Sequence, residues 1–332
     1  MRRVVSLVVL GLGVFAIATG LLLRFYAYPA LAKIPHNPNT SAVAQGSGIT
    51  ALVYVESGST SRPEIRRNLS LTSSTFVSGD MQAPEVSADS GVTSWVEATR
   101  VKEDKDGLTL NASVRELCLD RFTAEAVAPC TTQYLQKTKE VGKDTKVPGS
   151  RDQVQFPGLN FKFPFQTEKR TYPWYDSGTG KPVDAKFESE DAVEGLPVYR
   201  FKQIVPATDI DRRDVPGSLV GKPDTATVST RLFYGVERTM WVEPVTGAVI
   251  KVRQSVKQEL RTPEQSAGQG TAVFDGTLEL NKKTVDANVQ TAEENKSKLW
   301  LLTGLPVILW IGGGVLTLAG IVLLLAGRRR TA

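Results

Sequence analysis

The sequence TATVSTRLFYGVERTMWVE at residues 225–243 decides the fold class, because β-branched and aromatic residues alternate along it with polar ones. This pattern is typical of a half-buried β-strand. Three further segments have the same character, each separated from the next by Gly, Pro or Asp: LPVYRFKQIV at 196–205, GAVIKVRQSVKQEL at 247–260 and GTAVFDGTLEL at 270–280. Upstream, GITALVYVE at 48–56 predicts a first strand, and KEDKDG at 102–107 predicts the turn of a hairpin. The chain is therefore predicted to form a β-rich (α+β) domain with an antiparallel sheet and minor helices.

Two uncharged apolar segments flank this domain, at Val4–Leu23 and Leu299–Gly327. A helix needs about 20 such residues to cross the hydrocarbon core of a bilayer, so both segments are candidate spans. Arg2 and Arg3 precede the first, and arginines 328–330 follow the second. Since positive residues remain on the cytoplasmic side, we expect a two-pass plasma membrane protein with both termini cytoplasmic and its main domain extracytoplasmic.

The predicted organisation follows from these spans. It comprises a cytoplasmic N-terminus (1–3), a first transmembrane helix (4–23), a juxtamembrane stalk (24–48), an extracytoplasmic β-rich domain (49–298), a second transmembrane helix (299–327) and a cytoplasmic C-terminus (328–332). A cleaved signal peptide is the alternative for the first span, with Ala30-Leu31-Ala32 as its cleavage site. The apolar segment is longer than the usual 7–15-residue core of a signal peptide, which favours a retained anchor.

The charge balance argues against a nucleic-acid-binding domain. The chain has 40 Lys and Arg and 35 Asp and Glu, a formal charge of +5. Five of the basic residues are the arginines that flank the spans, which leaves 35 basic residues, equal in number to the acidic ones. A domain that binds DNA or RNA carries its own excess of Lys and Arg, so no nucleic-acid partner is expected.

Cys118 and Cys130 are the only cysteines in the chain and His36 is the only histidine. Both cysteines fall in the part that is predicted to be exported, where an oxidising environment favours a disulfide over two free thiols. A zinc site needs more ligands than this set provides. No phosphate-binding loop or catalytic triad is evident, and we expect no enzyme activity, no cofactor and no metal site.

Aromatic residues are concentrated in one short segment of the chain. The residues are Phe156, Phe161, Phe163, Phe165, Tyr172, Trp174 and Tyr175. Phe161, Phe163 and Phe165 alternate, which predicts that they point to one face of a strand. Two interpretations remain open: the residues form the core of the sheet, or they line an apolar ligand site or a surface that contacts lipid.

Two segments resemble class B scavenger receptors, the family of fatty acid translocase and the lysosomal integral membrane proteins. FESEDAVEGLPVYRF at 187–201 is similar to a receptor segment in which Phe-Glu-Ser leads into Gly-Ile/Leu-Pro-Val-Tyr-Arg-Phe, and TMWVEPVTGAVIKVRQSVKQEL at 239–260 is similar to a strand, turn and strand near their second span. The resemblance implies a barrel-like antiparallel ectodomain with an apolar tunnel. It rests on scaffold positions: Gly195, Pro197, Tyr199, Arg200, Phe201, Glu243, Pro244, Thr246 and Gly247.

The chain also resembles a family of actinobacterial membrane proteins labelled porin A-like. FKFPFQTEKRTYPWYDSGTGKPV at 161–183, followed by GLPVYRF, carries that resemblance. The two spans, the aromatic residues and the receptor resemblance imply a membrane-anchored cell-envelope protein that binds or transfers lipid or another hydrophobic ligand, whereas the porin label implies a pore. A pore-forming protein and a structural or receptor-like interaction module are the alternatives, and the sequence does not indicate whether the chain self-associates.

Overall fold

The computed structural model describes residues 2–57, 60–87, 91–137 and 149–328. The chain divides into two compact units, one formed by Met1–Lys33 with Thr291–Ala332 and the other by Ile34–Gln290. Residues 329–332, which make up most of the predicted cytoplasmic C-terminus, lie outside the described part, as does Met1 of the predicted N-terminus.

The second unit is built on one antiparallel sheet, which has twelve strands within the described residues. The strands are β1 (Asn39–Ser57), β2 (Thr60–Gly79), β3 (Val92–Glu103), β4 (Thr109–Asp120), β5 (Tyr134–Lys137), β6 (Arg151–Asp152), β7 (Tyr172–Asp176), β8 (Lys181–Val193), β9 (Leu196–Val215), β10 (Val228–Val242), β11 (Val249–Arg261) and β12 (Thr271–Leu280). A 3₁₀ turn at Gly217–Val220 lies between β9 and β10.

The strand order is β6-β5-β4-β3-β2-β1-β12-β11-β10-β9-β8-β7. Strands β1 to β6 of the first half of the chain therefore lie in sequence order on one side of the sheet, and strands β7 to β12 of the second half lie on the other. The two halves meet where β1 pairs with β12. The sheet is open, and its two edge strands β6 and β7 are short. Leu159 forms isolated bridges to Glu125 and to Trp174 of β7, so a loop links the β4 side to the β7 edge.

The predicted fold class is confirmed: the chain is mostly antiparallel sheet, with an apolar helix at each end. The predicted hairpin is also confirmed, because β3 and β4 pair from Val92–Asp120 to Lys102–Thr109 around the KEDKDG turn. Gly107 of that turn has φ +72°, a conformation that glycine adopts without steric cost. Cys118 at the end of β4 forms the predicted disulfide with Cys130 in the loop that follows.

The boundary predicted for the stalk is wrong, because residues 34–48 belong to the sheet unit. Ile34 is 1% exposed and packs in the main hydrophobic core. The Arg121 guanidinium donates a hydrogen bond to the Ile34 carbonyl (2.8 Å), and the Trp95 indole donates one to the Pro35 carbonyl (3.1 Å). β1 then begins at Asn39. The prolines of this segment indicated a linker, but its carbonyls and one apolar side chain attach it to β3 and to the end of β4.

The helices are α1 (Arg2–Leu22), continued by a π-helical turn (Leu23–Ala27) and α2 (Tyr28–Leu31), then α3 (Lys282–Thr303) and α4 (Leu305–Arg328). Two helical stretches, Arg3–Leu31 and Lys282–Ala326, are long and apolar enough to cross a membrane by length and composition. The second predicted span, 299–327, is not one uninterrupted helix. The break falls at Gly304, two residues before Pro306. Proline has no N–H group to continue the helical hydrogen bonds, and its ring clashes with the carbonyl four residues earlier.

Candidate functional site

The aromatic residues predicted between 156 and 175 gather in the main core of the sheet unit. Phe156, Phe163, Tyr172, Trp174 and Tyr175 are buried, and Phe161 and Phe165 pack partly buried against them. The Phe163 ring lies 4.6 Å from that of Phe201 and 5.1 Å from that of Trp174, measured between centroids. Their rings contact one another, as in a close-packed core.

Phe161, Phe163 and Phe165 do not share a strand face, and that prediction is wrong. Residues 156–171 form an irregular loop. Pro157 and Pro164 lack the N–H group that a strand ladder needs, and Gly158 between them has φ +87°. Only Phe163 of the three is fully buried.

The backbone of this loop binds the turn between β10 and β11. Phe163 N–H donates to the Gly247 carbonyl (2.8 Å), Gln166 N–H to the Val245 carbonyl (3.1 Å) and Thr167 N–H to the Pro244 carbonyl (2.7 Å). Gly247 has φ +72°, and a Cβ atom at this position would stand 2.1 Å from the Phe163 carbonyl oxygen. A glycine is therefore required there both for the backbone conformation and for the close approach of the loop.

The nine scaffold positions fall into two neighbouring places of the unit. Gly195 (φ +84°) lies in the β8–β9 turn, and Pro197 is the second residue of β9. This strand pairs with β10 through Tyr199–Val242, Arg200–Trp241 and Phe201–Met240. The remaining positions form the turn that follows β10. Glu243 is fully buried there and accepts hydrogen bonds from the backbone N–H groups of Val245 and Thr246 and from the Thr246 hydroxyl. The two segments that carry the receptor resemblance are thus adjacent strands.

The same loop contains a lysine that burial perturbs. Lys162 is half-buried, and its Nζ lies 3.5 Å from the centroid of the Phe165 ring. Desolvation lowers the pKa of the Lys162 ammonium to about 7, while the Glu243 carboxylate acts in the opposite direction. A lysine held by the junction between loop and turn therefore titrates near neutral pH.

Lys162→Met is expected to remove part of the pH dependence of stability. An unfolded lysine has a pKa of about 10.4, so between pH 7 and pH 10 the unfolded chain binds the proton that the folded chain has released. Stability due to this group therefore rises with pH across that window, by at most about 1.4 kcal/mol per pH unit. Thermal unfolding of the full-length protein in detergent at pH 7, 8 and 9 measures the difference between wild type and variant.

Lys169→Met is the matched control, because Lys169 is an exposed lysine of the same segment. A hydrogen bond to Glu190 raises the pKa of Lys169, which places its titration above the window. Equal pH slopes in wild type and Lys162→Met would contradict the assignment of this titration to Lys162.

A buried polar network lies inside the sheet between β7 and β11, and sequence reasoning missed it. Tyr234 donates to Asp176 Oδ2 (2.9 Å), and Arg238 Nη2 lies 3.3 Å from the same oxygen. Arg238 also donates to the side-chain carbonyls of Gln203 and Gln254. Asp176 and Gln203 are fully buried and Arg238 is 7% exposed. Burial, followed by the Asp176 carboxylate, raises the pKa of Tyr234, so the phenol remains a donor.

One sequence signal points to this network. Val236, Arg238 and Met240 occupy the inward positions of the alternating strand β10, and Arg238 is the charged residue among them. A charge at an inward position needs a buried partner. The sequence does not identify that partner, because Asp176 lies far away along the chain, at the end of β7.

The loop at 156–167 also binds the first half of the sheet. Arg115 of β4 pairs with Glu97 of β3 (2.8 Å) and donates to the Asn160 side chain (2.9 Å). The Trp95 ring lies 5.3 Å from the Phe161 ring. Because the loop contacts β3, β4 and the β10–β11 turn, it fills the interior between the two halves of the sheet.

In the other unit, α1 and α4 pack in direct contact through small residues. A Cβ atom at Gly13 would lie 2.4 Å from Thr317 Oγ1 and 2.7 Å from the Gly313 carbonyl oxygen. A Cβ atom at Gly320 would lie 2.8 Å from the Leu10 nitrogen. Small residues that bring two helix backbones this close are typical of membrane helix pairs. The two helices leave no water-filled space between them at these positions.

Comparison with known proteins identifies the family of this chain. The sequence model of a family described as Porin PorA matches residues 5–322. Porin PorA of Corynebacterium amycolatum is 25% identical to this chain over 174 residues, which cover 45% of this chain and 44% of that protein. Porin PorA of Corynebacterium resistens is 22% identical over 422 aligned residues, which cover 99% of this chain and 98% of that protein. The chain thus spans less than half of the first relative and nearly all of the second.

Proposed function

Because this chain belongs to the Porin PorA family, we propose that it forms a water-filled pore for small hydrophilic solutes in the cell envelope. The family points to a membrane channel protein rather than an enzyme, and the two apolar helices are candidate spans. The observation that carries the proposal is the family match over nearly the whole chain, spans and sheet unit together.

The packing of the helices supports a pore that is shared between copies. Gly13 faces Thr317 and Gly313 across the α1–α4 contact, where the backbones nearly touch. Two helices in such contact enclose no aqueous path, and a membrane barrel requires a closed ring of strands around its lumen. A conducting path therefore needs helices from several copies.

The aromatic residues do not favour the lipid-binding alternative. Five of the seven are buried in the core and contact other rings rather than an open apolar surface. We retain the predicted orientation as part of the proposal: the arginines at both chain ends favour cytoplasmic termini and an extracytoplasmic sheet unit in the plasma membrane.

Purified full-length protein added to a planar lipid bilayer is expected to produce discrete conductance steps that scale in number with the protein added. The same detergent fraction from cells without the gene is the control. Absence of steps after reconstitution, with insertion verified by flotation, would refute a pore. Mass spectrometry of co-purified lipid on the same sample tests the lipid alternative, which the proposal expects to be negative.

A further inference from the structure

The two halves of the sheet have different outer faces. On β8–β12 the outer face carries ion pairs between neighbouring strands, including Lys202 with Glu237, Lys251 with Glu279 and Arg231 with Asp209. Such a ladder is typical of a face in water. Across β1–β5 the described residues show no ion pair on the outer face, where Ser, Thr, Ala and Val predominate.

The direction of the strands identifies which residues form this second face. Val77, Arg115 and Leu135 point inward, because they contact the core cluster or its aromatic rings. Successive side chains of a strand point to opposite faces. The residues between them therefore point outward, and one outward row crosses five strands in direct register: Ser41, Phe76, Ala98, Val114 and Gln136.

Phe76 is the prominent side chain of this row. It is 46% exposed, and its two direct register partners on this face, Ser41 and Ala98, are small. A groove of about 660 Å³ runs beside it. Ala98, Ala112 and Val114 form its apolar floor, and the exposed side chains of Arg100 and Lys102 also line it. An exposed aromatic ring next to a groove with an apolar floor and a charged rim is typical of an interaction surface.

We propose that this outer face of β1–β5 pairs with the same face of a second copy of this chain. Phe76 and the groove lie side by side on one surface. A two-fold axis between them therefore places each Phe76 in the groove of the other copy. Four to five strands, about 4.8 Å apart and seven residues long, give a footprint of roughly 500 Å² per copy. The pair thus buries about 1,000 Å² in total, the lower size of a specific interface.

The edge strands β6 and β7 are short and offer few backbone hydrogen-bonding groups to a second copy. Pairing of two copies through the outer face of β1–β5 is therefore favoured over pairing through the sheet edges. Residues 138–148, which follow β5 in the chain, are not suited to the groove because TKEVGKDTKVP is rich in charge. The inference rests in part on the proposed function, since a pore shared between copies requires an assembly.

Phe76→Lys is expected to convert the full-length protein in detergent from a dimer to a monomer, halving the protein mass measured by light scattering. Ile204→Lys is the matched control: Ile204 is 57% exposed on β9, in the charged half, and its replacement should leave the dimer intact. Both side chains are exposed, so neither change removes core packing.

Cysteine cross-linking locates the contact independently. Ala98→Cys, close to the expected two-fold axis, should form a covalent dimer on oxidation, whereas Ser255→Cys on the outer face of β11 should not. A Phe76→Lys protein that remains dimeric would overturn the inference, as would equal cross-linking of both cysteine variants. A wild type that is monomeric in detergent but still conducts in a bilayer would also overturn it, and would leave a pore whose copies associate through their helices alone.

Discussion

Arg238→Met is expected to lower the free energy of unfolding by about 3–5 kcal/mol, because it leaves the Asp176 carboxylate buried without its cationic partner. Asp176 is fully buried and would keep only the Tyr234 and Thr179 donors. The side-chain carbonyls of Gln203 and Gln254 lose a donor in the same change. Guanidinium unfolding of the full-length protein in detergent, followed by tryptophan fluorescence, measures the loss.

Arg231→Met provides the control for this prediction. Arg231 lies on the same strand and pairs with Asp209 at 3.4 Å, but its side chain is 52% exposed. An exposed ion pair contributes about 0–1 kcal/mol, so its loss should be small. Asp176→Asn in the Arg238→Met background should recover part of the stability, since it removes the unpaired charge. Equal losses from Arg238→Met and Arg231→Met would show that burial of the network contributes little.

Gly13→Leu is expected to abolish conductance, because the new side chain would occupy space held by the backbone of α4. The Cβ atom alone would lie 2.6 Å from the Thr317 nitrogen and 2.7 Å from the Gly313 carbonyl oxygen. Backbone atoms on a packed helix cannot move aside as a flexible side chain does, so the helices must separate. Planar bilayer recordings at matched amounts of inserted protein measure the effect.

Gly11→Leu is the matched control on the same helix, because a Cβ atom at Gly11 would meet nothing within 4 Å. It adds the same side chain two residues away without entering the α1–α4 contact, and it should retain conducting protein. Wild-type conductance in Gly13→Leu would mean that close packing of the two helices is not needed for the pore.

Alternation and hydropathy were sufficient to predict the strands, because both are local properties of the chain. Every other residue of β10 is buried, as the apolar period of TATVSTRLFYGVERTMWVE indicated. The terminal helices follow in the same way from their uncharged segments. The disulfide was favoured on chemical grounds, since two cysteines in an oxidising space tend to pair.

Contacts between distant segments were not predictable from these patterns. The aromatic alternation at Phe161–Phe165 resembled a strand, but Pro157 and Pro164 removed the ladder donors and the remaining N–H groups bound the turn at Pro244–Gly247. The boundary predicted for the stalk differs from the structure for a similar reason: Ile34 packs in a core formed by residues of β3, β4 and β7–β10, which lie far from it along the chain.

By itself the sequence determined that this protein is a β-rich chain between two apolar helices, because strand and span signals depend only on residue order within one segment. Only the tertiary structure decided that β1 pairs with β12, that Arg238 meets Asp176 and that Phe76 remains on an uncovered face. Each of these depends on which segments meet across the sheet, and a periodic pattern states which face of a strand is apolar without stating what lies against it.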